Sequence, residues 1–306
     1  IDFYDKLSGL VPVATPKVFY AGKLPAYNLV CPVLEHLDLH GQRKGSEPMS
    51  VVPDHRFSSV SDMELLLTRV AKMHAMFYGV VQTHDATKWI PAKQGLDFCE
   101  FVITLGGKRE PKSYTILFKA LQAYFKPRPL TLVHGDCRPG NMIFVGQPTR
   151  EVLVMDWEAT NAAVPAWDFT YATIVGLDPE TRKQNLDALL GAYHRSFVSA
   201  LASKPGESES LEAFKNDVTL LPMVLFYIAK TVTTGEFWKD QGNEKKDIEA
   251  WGKRVMGALD QVSVRESAKL LRVEESLIYE LKALAAQWEQ EMLKRLGSHD
   301  FSRNSQ

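Results

Sequence analysis

The chain has 306 residues, of which 45% are hydrophobic and 24% are charged, and these values are ordinary for a globular protein. Its 36 Lys and Arg residues balance 37 Asp and Glu residues, and a formal net charge of −1 argues against a protein built mainly to coat nucleic acid or an anionic membrane. The three cysteines are too few for a disulfide framework and lack metal-binding spacing, which favours a reducing, cytoplasmic setting. No apolar run reaches the length of a membrane-spanning helix.

The first 60 residues predict a small front region that is followed by a boundary. Apolar residues within 1–7 indicate the end of a helix, and β-branched and aromatic residues at 18–20 and 29–34 predict two strands. Residues 40–60 are rich in Gly, Ser, Pro and charge, which predicts a loop. We therefore expect this loop to lie at a boundary between two lobes.

Helical patterns lie on both sides of a short β-rich stretch. Ser61 and Glu64 have the spacing of a capping box, which predicts a helix that runs to about Tyr78. A second helix is predicted from Tyr114 to Phe125, where nearby prolines end it. The helical patterns after residue 160 are 167–176, 179–202, 209–234, 245–261 and 264–296.

The β-rich stretch between these helices carries the chemically informative residues. Its predicted strands are 130–133, 142–145 and 152–155. The last two are joined by a five-residue turn with Gly and Pro, so they should pair antiparallel. Asn141 immediately precedes this hairpin and Asp156 immediately follows it, which places both at its open end. Asp136 lies in a loop that must return to the same end.

Two carboxylates and one amide oxygen therefore converge at one end of a hairpin. Such oxygen ligands suit Mg²⁺, which takes a few protein oxygens and leaves positions for phosphate and water. A carboxylate beside the metal can orient or deprotonate a hydroxyl nucleophile, and positioning with charge neutralisation is most of what phosphoryl transfer needs. The order of Asp136, Asn141 and Asp156 matches the catalytic Asp, the Asn and the metal-binding Asp of kinases.

An H-G-D-x-x-x-x-N loop is typical of the aminoglycoside phosphotransferase and choline kinase-like superfamily, and residues 134–141, HGDCRPGN, resemble it. Residues 155–158, MDWE, resemble the superfamily's D-W-E segment. Asp178 to Tyr193 is similar to the ecdysteroid kinase-like, or CHK kinase-like, branch. Weaker resemblances occur at Val13 to Ala21, Val33 to Leu37, Val70 to Ala75 and Ala166 to Phe169.

This resemblance implies an α+β, protein-kinase-like, two-lobed fold. It has a truncated N-terminal β lobe and a large, mainly helical C-terminal lobe. Residues 1–38 would be the remnant of the N-terminal lobe and the hinge, and residues 39–262 would be the helical lobe with its catalytic hairpin at 130–158. Residues 263–306 would form a C-terminal helical extension.

The resemblance also implies roles for individual residues. Asp136 would be the catalytic base, or would position the hydroxyl group of a small-molecule substrate. Asn141 and Asp156 would hold Mg²⁺. ATP would be the co-substrate, and its adenine would lie against the hinge at Glu35 and Leu37.

Other residues near the site are interpreted as structural. By the resemblance, His134 braces the loop and Asp168 supports it. Cys137 is predicted to be a passive small residue, because a reactive thiolate needs an electropositive setting and Asp136 is adjacent. Arg138 either touches an anion of the substrate or pairs with a neighbouring carboxylate.

The superfamily places a glycine-rich loop, a phosphate-binding Lys and its Glu partner before the point where Ile1 stands. The sequence contains no G-x-G-x-x-G and no P-loop, so the N-terminal part of the superfamily's pattern is missing. We therefore expect a stunted front lobe in which Phe3, Tyr4 and Leu7 lose the sheet they should pack against. ATP binding by these 306 residues should be weak or absent.

Three functions stay open at this point. The first is an ATP- and Mg²⁺-dependent phosphotransferase that acts on a small-molecule hydroxyl, and the second is a non-catalytic kinase-like binding module. The third is a metal-dependent hydrolase, which would want more His or carboxylate ligands near Asp136 and Asp156 than the sequence offers. A serine hydrolase is disfavoured because no G-x-S-x-G occurs. The pattern selects neither the acceptor substrate nor an oligomeric state.

Overall fold

The computed structural model describes residues 2–24, 29–34, 43–44, 47–53, 56–90, 112–201, 209–234 and 245–298. The helices of these residues are α1 (Asp2–Lys6), α2 (Val60–Phe77), α3 (Lys112–Phe125), α4 (Ala166–Gly176), α5 (Pro179–Leu201), α6 (Leu211–Thr234), α7 (Lys245–Asp260), α8 (Val264–Leu271) and α9 (Glu275–Ser298). The strands are β1 (Val18–Leu24), β2 (Leu29–Leu34), β3 (Arg43–Lys44), β4 (Glu47–Val51), β5 (Thr131–Val133), β6 (Met142–Val145), β7 (Glu151–Val154) and β8 (Asn161–Ala163). The protein is thus mostly helical with small sheets, a mixed α+β architecture, as the sequence predicts.

All strand pairs in the described sheets are antiparallel. β1 pairs with β2, β5 pairs with β8, and a four-stranded sheet has the order β3-β4-β6-β7. In the β6–β7 hairpin, Met142 lies opposite Val154 and Val145 lies opposite Glu151. Outside the named strands, Ala14 forms a bridge with Leu153 at the outer edge of β7.

One large hydrophobic core reaches from Phe3 in α1 to Met292 in α9. Within it, every residue of α4 except Tyr171 is buried, as expected for a helix that is apolar on all sides. α2 packs along α5 beside it. Because α4 carries Asp168 in its first turn, the core fixes where this carboxylate lies. The predicted domain boundaries stay predictions.

Residues 47–51 differ from the sequence prediction of a loop at 40–60. They form β4, in which Met49 pairs with Val145 and Val51 pairs with Ile143. Met49 is buried whereas Pro48 and Ser50 are exposed. Because its exposed residues are Pro and Ser, the strand has the composition of a loop. Its pairing partner β6 lies almost 100 residues away in the chain. A local sequence pattern carries no information about a partner at that distance.

Two helix ends also differ from the prediction. The predicted helix 264–296 is divided into α8 and α9, because Arg272 adopts a left-handed conformation with φ 56° and ψ 46° and ends α8. The N-terminus of α2 is capped by Ser59, whose hydroxyl accepts from the Asp62 amide at 3.1 Å, and not by Ser61. None of the described helices is long and apolar enough to cross a membrane.

Candidate active site

The β6–β7 hairpin brings Asn141 and Asp156 to the same end, as the sequence predicts. The Met155 amide donates to the Asn141 carbonyl at 2.9 Å, which extends the strand pairing by one residue beyond Met142 and Val154. Asn141 closes a short 3₁₀ turn, Pro139–Asn141, that leads into β6. Its side chain is buried, whereas Asp156 is exposed.

The Asn141 side chain holds Asp136. Its Nδ2 donates to both the backbone carbonyl and Oδ2 of Asp136, each at 2.9 Å. Both partners are oxygens that accept, so the amide orientation is fixed by chemistry, and Oδ1 of Asn141 points away from them. No described residue donates to that Oδ1, which leaves it able to accept a cation.

Arg138 pairs with Asp136 in this structure, so it takes the second of its two predicted roles, the pairing with a neighbouring carboxylate. Its Nε donates to Oδ2 of Asp136 at 3.0 Å, the same oxygen that Asn141 holds. The pair is partly exposed, with about a third of each side chain open to solvent. Within the described residues, Oδ1 of Asp136 accepts no hydrogen bond, so one carboxylate oxygen is oriented and the other is available to a substrate hydroxyl.

Asp168 anchors the backbone on which Asp136 sits. Its Oδ2 accepts from the His134 amide at 2.7 Å, and its Oδ1 accepts from the Gly135 amide at 3.0 Å. Burial by itself raises the pKa of this fully buried carboxyl. Hydrogen bonding and charge from His74, with smaller contributions from His134 and Gly135, outweigh burial and lower the pKa below its usual 3.8. The resemblance assigns Asp168 this supporting role.

A buried Tyr–His pair lies behind Asp168. Nε2 of His74 lies 3.1 Å from Oδ2 of Asp168, and Nδ1 lies 2.5 Å from the Tyr193 hydroxyl. Burial raises the pKa of Tyr193 well above 10, so the phenol keeps its proton and donates to Nδ1 while Nε2–H donates to the carboxylate. In the sequence, His74 and Tyr193 appear only within the segments Val70 to Ala75 and Asp178 to Tyr193, to which the resemblance gives no role in the site. No local signal links these two residues.

His134 braces the loop, as the resemblance implies. Its Nε2 lies 2.7 Å from the Met155 carbonyl, and its Nδ1 lies 3.2 Å from the Asp136 amide. A carbonyl accepts and an amide donates, so the proton is on Nε2. One imidazole therefore ties the loop that carries Asp136 to the strand end that precedes Asp156.

Gly135 and Cys137 occupy tightly packed positions in this loop. Gly135 has φ +87°, and a Cβ there would lie 2.2 Å from the Ala159 carbonyl oxygen, so only glycine fits. Cys137 is fully buried, and burial, with the negative charges of Asp168 and Asp136, raises the pKa of its thiol well above 9. The thiol therefore stays protonated, in agreement with the predicted passive role.

Asp156 has a left-handed backbone, with φ 59° and ψ 63°. Non-glycine residues adopt this conformation at a cost of about 1–2 kcal/mol, and such residues persist where surrounding contacts fix them. The next residue supplies such contacts: Nε1 of Trp157 donates to the Val154 carbonyl at 3.0 Å, and the indole lies 4.6 Å from the His134 ring.

The sequence predicts that Phe3, Tyr4 and Leu7 lose the sheet they should pack against, but α1 contacts β1. All three are buried, and the Phe3 ring stacks on Trp157 with centroids 3.7 Å apart. Burial raises the pKa of the Tyr4 hydroxyl above its usual 10.0. α1 thus packs on both β1 and the segment that carries Asp156.

The predicted hinge contacts, Glu35 and Leu37, lie outside the described residues. Within the described part of the chain, no group of three or more His, Cys, Asp or Glu side chains could hold a metal ion. The donor set that remains, an amide oxygen and an exposed carboxylate, has the hard oxygen chemistry that fits Mg²⁺.

The chain is similar to known proteins both in sequence, over one segment, and in structure. Residues 111–204 match the Ecdysteroid kinase-like family. A choline/ethanolamine kinase family protein from Mesorhizobium loti has a similar structure, with a TM-score of 0.56 and 12% identity over 89% of this chain and 80% of that chain. A candidate aminoglycoside phosphotransferase from Ralstonia eutropha gives a TM-score of 0.53 and 12% identity over 89% of this chain and 82% of that chain. No curated protein matches at a significant level.

At 12% identity the structural likeness shows a shared fold and nothing finer. It confirms the predicted fold class. The chain therefore shares the fold of these two solved structures, and its residues 111–204 match the Ecdysteroid kinase-like family.

Proposed function

We propose that the protein transfers the terminal phosphoryl group of ATP to a hydroxyl group of a small molecule, with Mg²⁺ as cofactor. The contact between Asn141 and Asp136 carries the proposal: one amide fixes a carboxylate with its nitrogen and leaves its oxygen for a cation. Catalysis of phosphoryl transfer rests on such positioning more than on covalent chemistry.

In the proposed reaction, the substrate oxygen forms a bond to the terminal phosphorus of ATP while the bond from that phosphorus to the bridging oxygen breaks. The hydroxyl proton passes to Oδ1 of Asp136, and ADP leaves with the bridging oxygen. Asn141 and Asp156 would hold Mg²⁺, which neutralises phosphate charge when bound. Asp168, His74 and His134 keep the loop in place.

A second candidate is a kinase-like binding module that does not transfer phosphate. The ion pair between Arg138 and Asp136 favours it, because the guanidinium already engages Oδ2 of the carboxylate that would have to act on a substrate hydroxyl. Nucleotide binding without ADP formation from any alcohol would support this candidate.

The test is ADP release from ATP and Mg²⁺ with a panel of choline, ethanolamine, aminoglycosides, steroid alcohols and sugars. Asp136→Asn should lower turnover by about 10²–10⁴-fold, because it removes the base. Its melting temperature should stay close to that of the wild type, because the substitution removes no buried apolar surface. Unchanged turnover in Asp136→Asn would exclude the role assigned to this residue.

A further inference from the structure

A cavity of about 180 Å³ lies between α5, α6 and the junction of α7 with α8. None of the residues assigned to phosphoryl transfer lines it. Most of its wall is apolar, and these residues are Leu186, Leu190, Val218, Pro222, Ala258 and Val262. Arg182, in the first turns of α5, also lines the cavity.

The guanidinium of Arg182 is buried and incompletely paired. Only 3% of the residue is exposed, and its Nη1 donates to Oε1 of Gln261 at 2.6 Å. The amide of Gln261 is itself fixed, because its Nε2 donates to the Pro179 carbonyl at 2.8 Å. Nε of Arg182 is buried without a hydrogen-bond partner in the described structure.

No carboxylate among the described residues forms an ion pair with Arg182. Burial alone lowers its pKa to about 10, and no negative charge opposes this effect. Arg128 shows the usual alternative, since its guanidinium pairs with both Glu209 and Asp217. A buried charge without a counter-charge is destabilising, and a cavity beside it offers a place for the missing anion.

The other charges around the cavity lie at its mouth. Nζ of Lys215 pairs with Oδ1 of Asp187 at 3.1 Å, and that aspartate is 90% exposed. Glu266 is exposed at the start of α8. The charged residues at the mouth therefore sum to −1 and are open to solvent, whereas the guanidinium of Arg182 is buried without a carboxylate partner among the described residues.

We propose that this cavity binds a small amphipathic anion, whose carboxylate or phosphate head pairs with Arg182 and whose apolar body packs against the leucines and valines of α5 and α6. The head would supply the negative charge that the guanidinium lacks. The apolar wall would supply affinity in proportion to the hydrocarbon area it covers. The site is separate from the proposed phosphotransferase centre and does not depend on it.

The test is calorimetry on the full chain with octanoate, octyl phosphate, octan-1-ol and inorganic phosphate. An octyl anion should bind at least about tenfold more tightly than octan-1-ol, because only the anion forms charged hydrogen bonds with the guanidinium of Arg182. Octanoate and octyl phosphate distinguish the two head groups, and inorganic phosphate reports the head alone. Equal binding of the anions and the alcohol, or no binding of either anion, would overturn the proposal.

Variants locate the site. Arg182→Met should abolish the preference for the anion over the alcohol, whereas Arg195→Met, which removes an exposed charge from the same helix, should keep it. Ala258→Leu narrows the cavity without changing its charge and should weaken both anions by about tenfold or more. The wild-type comparison stands even where Arg182→Met does not fold, and unchanged anion affinity in Ala258→Leu would show that the anion binds elsewhere.

Discussion

The phenol oxygen of Tyr193 lies 2.5 Å from Nδ1 of His74, although the two residues are 119 positions apart in the chain. The contact orients the imidazole, whose Nε2 then contacts Oδ2 of Asp168. The same Oδ2 accepts from the His134 amide. The position of the proposed base therefore depends on a hydroxyl that touches no substrate. Tyr193 is a positioning residue in this arrangement.

Tyr193→Phe removes that hydroxyl and leaves Nδ1 of His74 buried without a donor. We expect the free energy of unfolding to fall by about 1–3 kcal/mol. Turnover should fall while the KM for ATP stays close to its wild-type value, because the base loses its orientation and the nucleotide contacts remain. Tyr279→Phe, at a residue that is 60% exposed, is the matched control. A KM that rises with no loss of kcat would contradict a positioning role.

Asp156 combines a proposed metal ligand with a left-handed backbone, and two variants separate these properties. Asp156→Gly and Asp156→Ala should both abolish the Mg²⁺ dependence of nucleotide binding. The Ala variant should be about 1 kcal/mol less stable than the Gly variant, because only glycine adopts φ 59° without strain. Glu158→Ala, two residues away and exposed, should keep the Mg²⁺ dependence. Persistence of this dependence in Asp156→Gly would remove Asp156 from the metal site.

Glu209 gives the protein a predictable pH dependence. Burial, only partly offset by Arg128, raises the pKa of Glu209 to about 7 from its usual 4.5. The folded state then holds a proton that the unfolded chain releases, so stability falls as the pH rises from about 4.5 to about 7 and is level above that. The loss should be on the order of 3 kcal/mol in urea unfolding.

Glu209→Gln removes this titration and should flatten the pH profile. The variant should equal the wild type in stability near pH 4.5 and exceed it near pH 8. Glu212→Gln, at an exposed position in the same region, should leave the wild-type slope unchanged. A slope that survives in Glu209→Gln would assign it to another group.

Phe3 tests whether α1 belongs to the main core. Phe3→Ala should destabilise the fold by about 3–5 kcal/mol, the usual cost of removing a buried aromatic ring. Phe19→Ala is the control, because this ring is 61% exposed and should cost little. The comparison is made by thermal and urea unfolding, and equal effects of the two substitutions would mean that the stacking on Trp157 contributes no stability.

The sequence predicts the hairpin and its open end well because these features are local. A five-residue turn between two apolar strands fixes the pairing, and the pairing fixes where Asn141 and Asp156 lie. Two other contacts are not local: Tyr193 with His74, and Phe3 stacked on Trp157. Their residues are far apart in the chain, so no periodic sequence pattern predicts them. The same holds for β4, since its exposed Pro and Ser hide a strand whose partner is distant in the chain.

The hairpin that carries Asn141 has neighbours on both edges. β4 pairs along β6, and the Val154 amide of β7 donates to the Ala14 carbonyl at 2.8 Å. A two-stranded ribbon frays easily by itself, but here neither strand can separate without breaking contacts to distant parts of the chain. Amide hydrogens of β6 should therefore exchange with solvent mainly through global unfolding, and any loosening of the proposed metal site should track the stability of the whole protein.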